Sequence, residues 1–108
     1  MAKLPFYFDP TATGVGVFLG PTEAQLMELA WREGPMTVKK ALFLLGNDCR
    51  LAYTTVMTVL ARLEKKGLLD RKKDGRGFVY TVAIKRAKFI EGRLKIVNDC
   101  LRANFKAK

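Results

Sequence analysis

Apolar side chains recur along this chain at steps of three and four residues in three places. Leu26, Leu29 and Ala30 form one stripe, Val56, Val59, Leu60 and Leu63 a second, and Ala87, Ile90, Leu94, Val97, Leu101 and Phe105 a third. This spacing predicts helices that each bury one face. The first opens at Pro21-Thr22, where Thr22 and Gln25 fit the S/T-x-x-E/Q capping box, and closes at Gly34-Pro35. Thr37 can cap another short helix that runs to about Leu45, after which Gly46, Asn47 and Asp48 break the pattern. The Val56 stripe belongs to a helix over residues 52–67, with Gly67 at a left-handed cap.

Beyond Gly67 the period changes from helical to alternating. Two β-prone runs, residues 68–73 and 78–82, are joined by Asp74-Gly75-Arg76-Gly77, which predicts a hairpin. A helix then spans residue 85 to about Lys106, with Phe89 and Ile96 widening its apolar face. Residues 1–20 mix aromatics with Pro, Gly and Thr and show no helical period. They read as an extended arm with short strand character at residues 6–8 and 15–19. The predicted fold is mainly α with a small β-hairpin: three short helices, a two-stranded ribbon and a last helix, the layout of a winged helix-turn-helix. The expected division is an N-terminal arm (1–20), a winged-helix DNA-binding domain (21–84) and a C-terminal dimerisation helix (85–108).

The third helix has an unusual outer face. With Thr54 at 0° and about 100° per residue, Thr54, Thr55, Thr58, Ala61, Arg62 and Lys65 share a sector of about 120°. Val56, Val59, Leu60 and Leu63 lie opposite and must pack on the first two helices. Short hydroxyls, a small methyl and long cations suit the DNA major groove, where Thr can bond base edges and Arg can grip guanine. Tyr53, Thr54 and Thr55 begin the helix, where free N–H groups favour phosphate. The plainer alternative is that the threonines are ordinary surface residues and Arg62 pairs with a nearby acid. The hairpin weighs against it, because Arg71, Lys72, Lys73 and Arg76 cluster around two glycines in the manner of a phosphate-binding wing. Tyr80 and Phe78 alternate onto one side of the ribbon and are read as packing residues.

Charge sharpens this picture. The 108 residues carry a formal net charge of +10 from 20 Lys and Arg against 10 Asp and Glu. Residues 1–61 hold five of each sign, so the entire excess lies in residues 62–108. Such asymmetry implies a polyanionic partner, nucleic acid or an acidic membrane surface. The last helix, flanked by Lys85, Arg86, Lys88, Arg93, Lys95 and Arg102, keeps the membrane reading in view, but it has no Trp and no run reaches 18 apolar residues. No membrane partner is therefore expected, and the chain reads as cytoplasmic. With no His and with Cys49 and Cys100 isolated from one another, no zinc site and no cofactor are expected. No carboxylate cluster, phosphate-cradling loop or activated nucleophile supports an enzyme. A winged helix that binds RNA or protein without reading bases is the rival to a DNA-binding regulator.

The segments LGPTEAQLMELAW, GPMTVKKAL and AYTTVMTVLARLEKKGLLDRKKDGRGFVY resemble, in order and spacing, the winged-helix repressors of the penicillinase-repressor type, the BlaI/MecI/CopY family. The resemblance covers residues 19–82 and implies a homodimer on a palindromic double-stranded operator, repressing transcription until a signal removes it. It implies a DNA-binding set of Tyr53, Thr54, Thr55, Thr58, Arg62 and Lys65 on the third helix with Arg71, Lys73 and Arg76 on the wing. Dimerisation would fall to Ile90, Leu94, Val97, Leu101 and Phe105 on the last helix, which must do alone what several helices do in relatives. The cysteine-rich tail of copper-responsive relatives is absent. Beta-lactam-responsive relatives are inactivated by cleavage at an Asn-Phe bond, and this chain carries Asn104-Phe105. The signalling protease or ligand is left open.

Overall fold

The computed structural model describes residues 7–9, 11–12, 14–46 and 51–105, the last two by backbone alone. Within them a short 3-10 turn, Gly14–Val17, precedes α1 (Pro21–Glu33), α2 (Val38–Leu45), α3 (Tyr53–Lys65), β1 (Leu69–Asp74), β2 (Gly77–Val82) and α4 (Arg86–Phe105). The predicted order is therefore present. Asn47, Asp48, Cys49, Phe6 and Lys106, used in the sequence reading, lie outside the described residues, as does the side chain of Phe105.

Local chemistry explains the helix ends, with one correction. The hydroxyl of Thr37 accepts from the Lys40 N–H at 3.1 Å and caps α2 as expected. The capping box at Thr22 and Gln25 does not form; Gly20 is the N-cap of α1, and no side chain caps it. Pro21, whose fixed φ and missing N–H suit the first helical position, starts the helix early and leaves Thr22 inside the first turn. Glu23 thereby faces inward, only 7% exposed, where Lys66 donates to it at 2.8 Å and ties α1 to the end of α3.

The strand expected at residues 15–19 is absent. Phe18 and Leu19 both donate to the Val15 carbonyl at 3.0 Å, so the segment turns on itself instead of seeking a strand partner. Val15, Phe18 and Leu19 are buried in the core. Ahead of this turn the Asp9 N–H donates to Val17 O at 2.7 Å. The Thr11 hydroxyl and N–H hold the Asp9 carboxyl below its ordinary pKa. That carboxylate stabilises the fold above its unfolded pKa and ceases to do so as pH falls through the folded one.

One core joins all the elements. Leu26, Met27, Leu29 and Ala30 of α1 meet Val38 and Ala41 of α2, Val56, Val59, Leu60 and Leu63 of α3, and Leu68, Leu69 and Tyr80 of the hairpin. Each large aliphatic buried here contributes about 1.5–3 kcal/mol. α4 is attached at its beginning by three different contacts. The Trp31 indole donates to Ile84 O at 2.8 Å, and Arg86 grips Glu28 through two hydrogen bonds of 2.9 and 3.1 Å. The Phe89 ring, 2% exposed, packs 5.9 Å from Trp31 and edge-on to Phe18 at 6.3 Å.

Phe89 thus belongs to the core and not to the outer apolar face assigned to it from periodicity. Helix geometry explains the difference: Phe89 lies about 100° around the axis from Ile90, on the side that meets Trp31 and Phe18. Phe89→Ala should lower the unfolding free energy by about 3–5 kcal/mol, measured by urea denaturation, with amide exchange in α4 accelerating more than in α3.

Candidate nucleic-acid interface

The interface is built from the outer face of α3 and the hairpin that follows it. Burial of Val56, Val59, Leu60 and Leu63 turns Thr54, Thr55, Thr58, Arg62 and Lys65 to the exposed side, with Ala61 half-buried at its edge. Among the described residues no side chain caps the α3 N-terminus, an end whose N–H groups and dipole favour an anion. Thr54, Thr55, Thr58 and Arg62, with Val59 behind them, line a shallow open furrow on this face. The Thr58 hydroxyl donates to the Thr54 carbonyl at 2.8 Å.

The end of α3 fixes the start of the wing. The Leu68 N–H bonds Leu63 O and the Gly67 N–H bonds Glu64 O, each at 3.0 Å, with Gly67 at φ 83°. This is a Schellman cap, and the buried Leu68 packs back toward the helix it terminates. β1 and β2 then pair with Leu69 opposite Val82 and Asp74 opposite Gly77. The turn is therefore the two-residue step Gly75-Arg76, tighter than the four-residue loop read from sequence, with Gly75 at φ 62°. A second backbone tie positions the ribbon: Met36 and Tyr80 exchange N–H···O bonds of 3.0 and 2.8 Å. The segment between α1 and α2 thus holds the wing beside the helices.

Cross-strand pairing places Arg71 opposite Tyr80 and Lys73 opposite Phe78, so these four share one face of the ribbon. Tyr80 packs in the core as expected, but Phe78 is 39% exposed because it lies beyond the edge of the helices. Arg71 stacks over the Phe78 ring at 4.3 Å from the centroid and approaches Glu64 at 3.9 Å. Arg62, Lys65, Lys72, Lys73 and Arg76 form no ion pair among the described residues, whereas Arg71 is already engaged.

Tyr53 and Arg76, remote in sequence, meet at one cleft of about 350 Å³ that Lys39, Thr37, Phe78 and Asp74 also line. Lys39 was missed from sequence. Its signal is present nonetheless: Lys39 and Lys40 occupy the first turn of α2, the end where the helix dipole disfavours cations. On α4, Leu94 and Leu101 are about half exposed, at 49% and 48%, while Ile90 and Val97 pack partly against the domain's own core. Among the described residues no cluster of His, Cys, Asp and Glu could hold a metal, and no helix is long and apolar enough to cross a membrane.

A sequence model of the penicillinase-repressor family matches residues 19–107, a span that includes all of α1 to α4 and the hairpin. The chain belongs to the penicillinase-repressor family. Among its relatives, the penicillinase repressor of Bacillus licheniformis is 32% identical over 73 residues, which cover 68% of this chain and 57% of that protein. Transcriptional regulator BlaI of Mycobacterium tuberculosis (strain H37Rv) is 40% identical over 75 residues, 68% of this chain and 54% of its own length. The chain thus spans a little over half the length of these relatives.

Solved structures agree on the winged-helix fold. The DNA-binding domain of the repressor BlaI superposes with a TM-score of 0.56 at 31% identity, over 62% of this chain and 82% of that one. The CopR repressor gives 0.52 at 26% identity, over 72% of this chain and all of the other. A MarR family protein from Bacillus stearothermophilus shares the fold alone, at 21% identity and a TM-score of 0.53 over 82% of this chain and 61% of its own. The matched family is one of repressors.

The cap that joins α3 to the wing can be tested directly. Gly67→Ala forces a side chain into the left-handed region and should cost about 1 kcal/mol, read as a lower melting temperature, whereas Gly77→Ala, without a left-handed φ, should cost less.

Proposed function

We propose that this protein is a sequence-specific transcriptional repressor that binds a palindromic double-stranded operator as a homodimer. The observation that carries the reading is the outer face of α3, where three threonines and Arg62 line one open furrow beside a basic wing. In this reading α3 enters the major groove with Thr54, Thr55, Thr58 and Arg62 toward the bases. Tyr53 and Lys65 contact the backbone at its two ends, and Lys73 and Arg76 bring the wing to neighbouring phosphates. Arg71, stacked on Phe78, stiffens the wing more than it neutralises phosphate. Names of relatives support the same direction, since one match is the DNA-binding domain of a repressor. Such a protein acts in the cytoplasm, where bacterial operators are found.

The dimer reading assigns residues 85–108 to self-association and residues 21–84 to DNA, with Val15, Phe18 and Leu19 of the expected arm (1–20) packed into the core of the latter. Leu94 and Leu101 supply the exposed apolar surface, Ile90 and Val97 its inner margin, and Phe105 continues the same stripe. A palindromic site follows from that symmetry, because two α3 helices related by a twofold axis meet two inverted half-sites.

Selection of binding sites from a randomised duplex library, followed by competition against random duplex, tests the reading. A preference of about 10³ or more is expected; equal affinity for both would leave only a charge-driven module that binds RNA or protein without reading bases. Arg62→Ala should weaken the selected duplex by about 1–3 kcal/mol and relax the preference, while Lys73→Ala should weaken all duplexes alike and lower the salt slope by about one. Arg71→Ala should change that slope less than Lys73→Ala does. The double variant Leu94→Asp, Leu101→Asp should sediment as a monomer, and an unchanged profile would remove α4 as the dimer interface.

A further inference from the structure

The Thr58 hydroxyl is already committed. Its proton is donated to the Thr54 carbonyl at 2.8 Å, one turn back along α3. A hydroxyl has one donor and two acceptor lone pairs, so what Thr58 can still offer outward is acceptor capacity and its methyl group. Guanine presents only acceptors, N7 and O6, in the major groove, and would meet an oxygen with no proton to share. Thymine presents a 5-methyl group, the one apolar feature on that edge of a base pair. Around Thr58 the surface matches it: the furrow is lined by Thr54, Thr55 and Thr58, each carrying a methyl, and by Val59, with Arg62 at one end.

We infer that Thr58 is a specificity-determining residue that reads a thymine 5-methyl group and excludes guanine at the base it faces. The inference rests on α3 lying in the major groove. Arg62, one turn farther along, supplies the donors that Thr58 lacks, so the two side chains divide the groove edge between an apolar and a guanine-seeking contact. The methyl group discriminates, and the hydroxyl keeps its bond within the helix.

The test uses the full chain and the duplex recovered from the randomised library. Each thymine of a half-site is replaced singly by deoxyuridine, which removes the 5-methyl and nothing else. At one position or more the affinity is expected to fall about fourfold, the equivalent of ~0.8 kcal/mol for one buried methyl. Thr58→Ser, which keeps the hydroxyl and deletes the methyl, should bind the unmodified duplex about fourfold more weakly and lose sensitivity to that deoxyuridine. Thr58→Val, which keeps the methyl and deletes the hydroxyl, should bind within about threefold of the parent and retain the sensitivity. The three side chains Thr, Ser and Val are compared at one exposed position of the helix, so circular dichroism and melting temperature should remain those of the parent. No deoxyuridine effect at any thymine overturns the inference. So does a Val variant that fails while the Ser variant binds normally, since the hydroxyl would then have left Thr54 to read a polar base edge. If the library yields no preferred sequence at all, the DNA-reading function itself fails, an outcome distinct from either of these.

Discussion

Four aliphatic side chains on one side of α3, Val56, Val59, Leu60 and Leu63, bind it to α1, α2 and the hairpin, and through the geometry of a helix they decide what the other side displays. Were this face less apolar, α3 could rotate and the threonines would lose their fixed outward direction. Because the contact is close-packed, a rotation by even one residue would carry a hydroxyl into the core, where it would need a hydrogen-bond partner. The ion pair between the buried Glu23 and the more exposed Lys66 pins the far end of the same helix. What α3 presents is therefore as well defined as the core behind it.

The wing is held by this helix at its start and by the segment between α1 and α2 along its side. Its beginning is set by the Schellman cap at Gly67, which turns the chain directly from α3 into β1. Its lateral position is set by the two backbone bonds between Met36 and Tyr80, so the segment between α1 and α2 serves as a third rail for the ribbon. Between these constraints the tip is brought beside the start of α3, where Arg76, Tyr53 and Lys39 line one cleft. Lys39 and Arg76 form no ion pair among the described residues, although Asp74 lines the same cleft, so a polyanion arriving there would meet cations not yet engaged.

α4 has a double character. Its first turns are part of the domain, held by Trp31, the Glu28–Arg86 pair and Phe89. Farther on, Leu94, Ile96 and Leu101 lie in the open. Arg93 bridges the two regimes: it lies over the Phe89 ring at 4.8 Å, and burial pulls its pKa below the ordinary arginine value. A helix rooted so firmly at one end would transmit the orientation of any partner bound to its outer part back to α1, and so to α3. That coupling is a physical consequence of rigid attachment at Phe89, since a helix cannot bend cheaply without Pro, Gly pairs or an inserted side chain.

Periodicity alone was enough to reveal the three amphipathic stripes, the division of α3 into an aliphatic and a hydroxyl-cation face, and the hairpin between Gly67 and Ile84. These depend on side chains within a turn or two of each other, so the information is local. Thr37, Gly34 and Gly67 marked helix ends for the same reason. Where Thr22 misled, a nearby proline had a stronger local claim on the first turn. What only the tertiary structure decided were matters of long-range contact: that Val15, Phe18 and Leu19 fill the core instead of forming a strand, that Phe89 packs inward while Leu94 stays exposed, and that Lys39 joins Tyr53 and Arg76. An apolar period says which residues share a side of a helix, but which of those sides meets a neighbour depends on where Trp31, Met36 and Tyr80 bring the distant segments together, and no local spacing carries that.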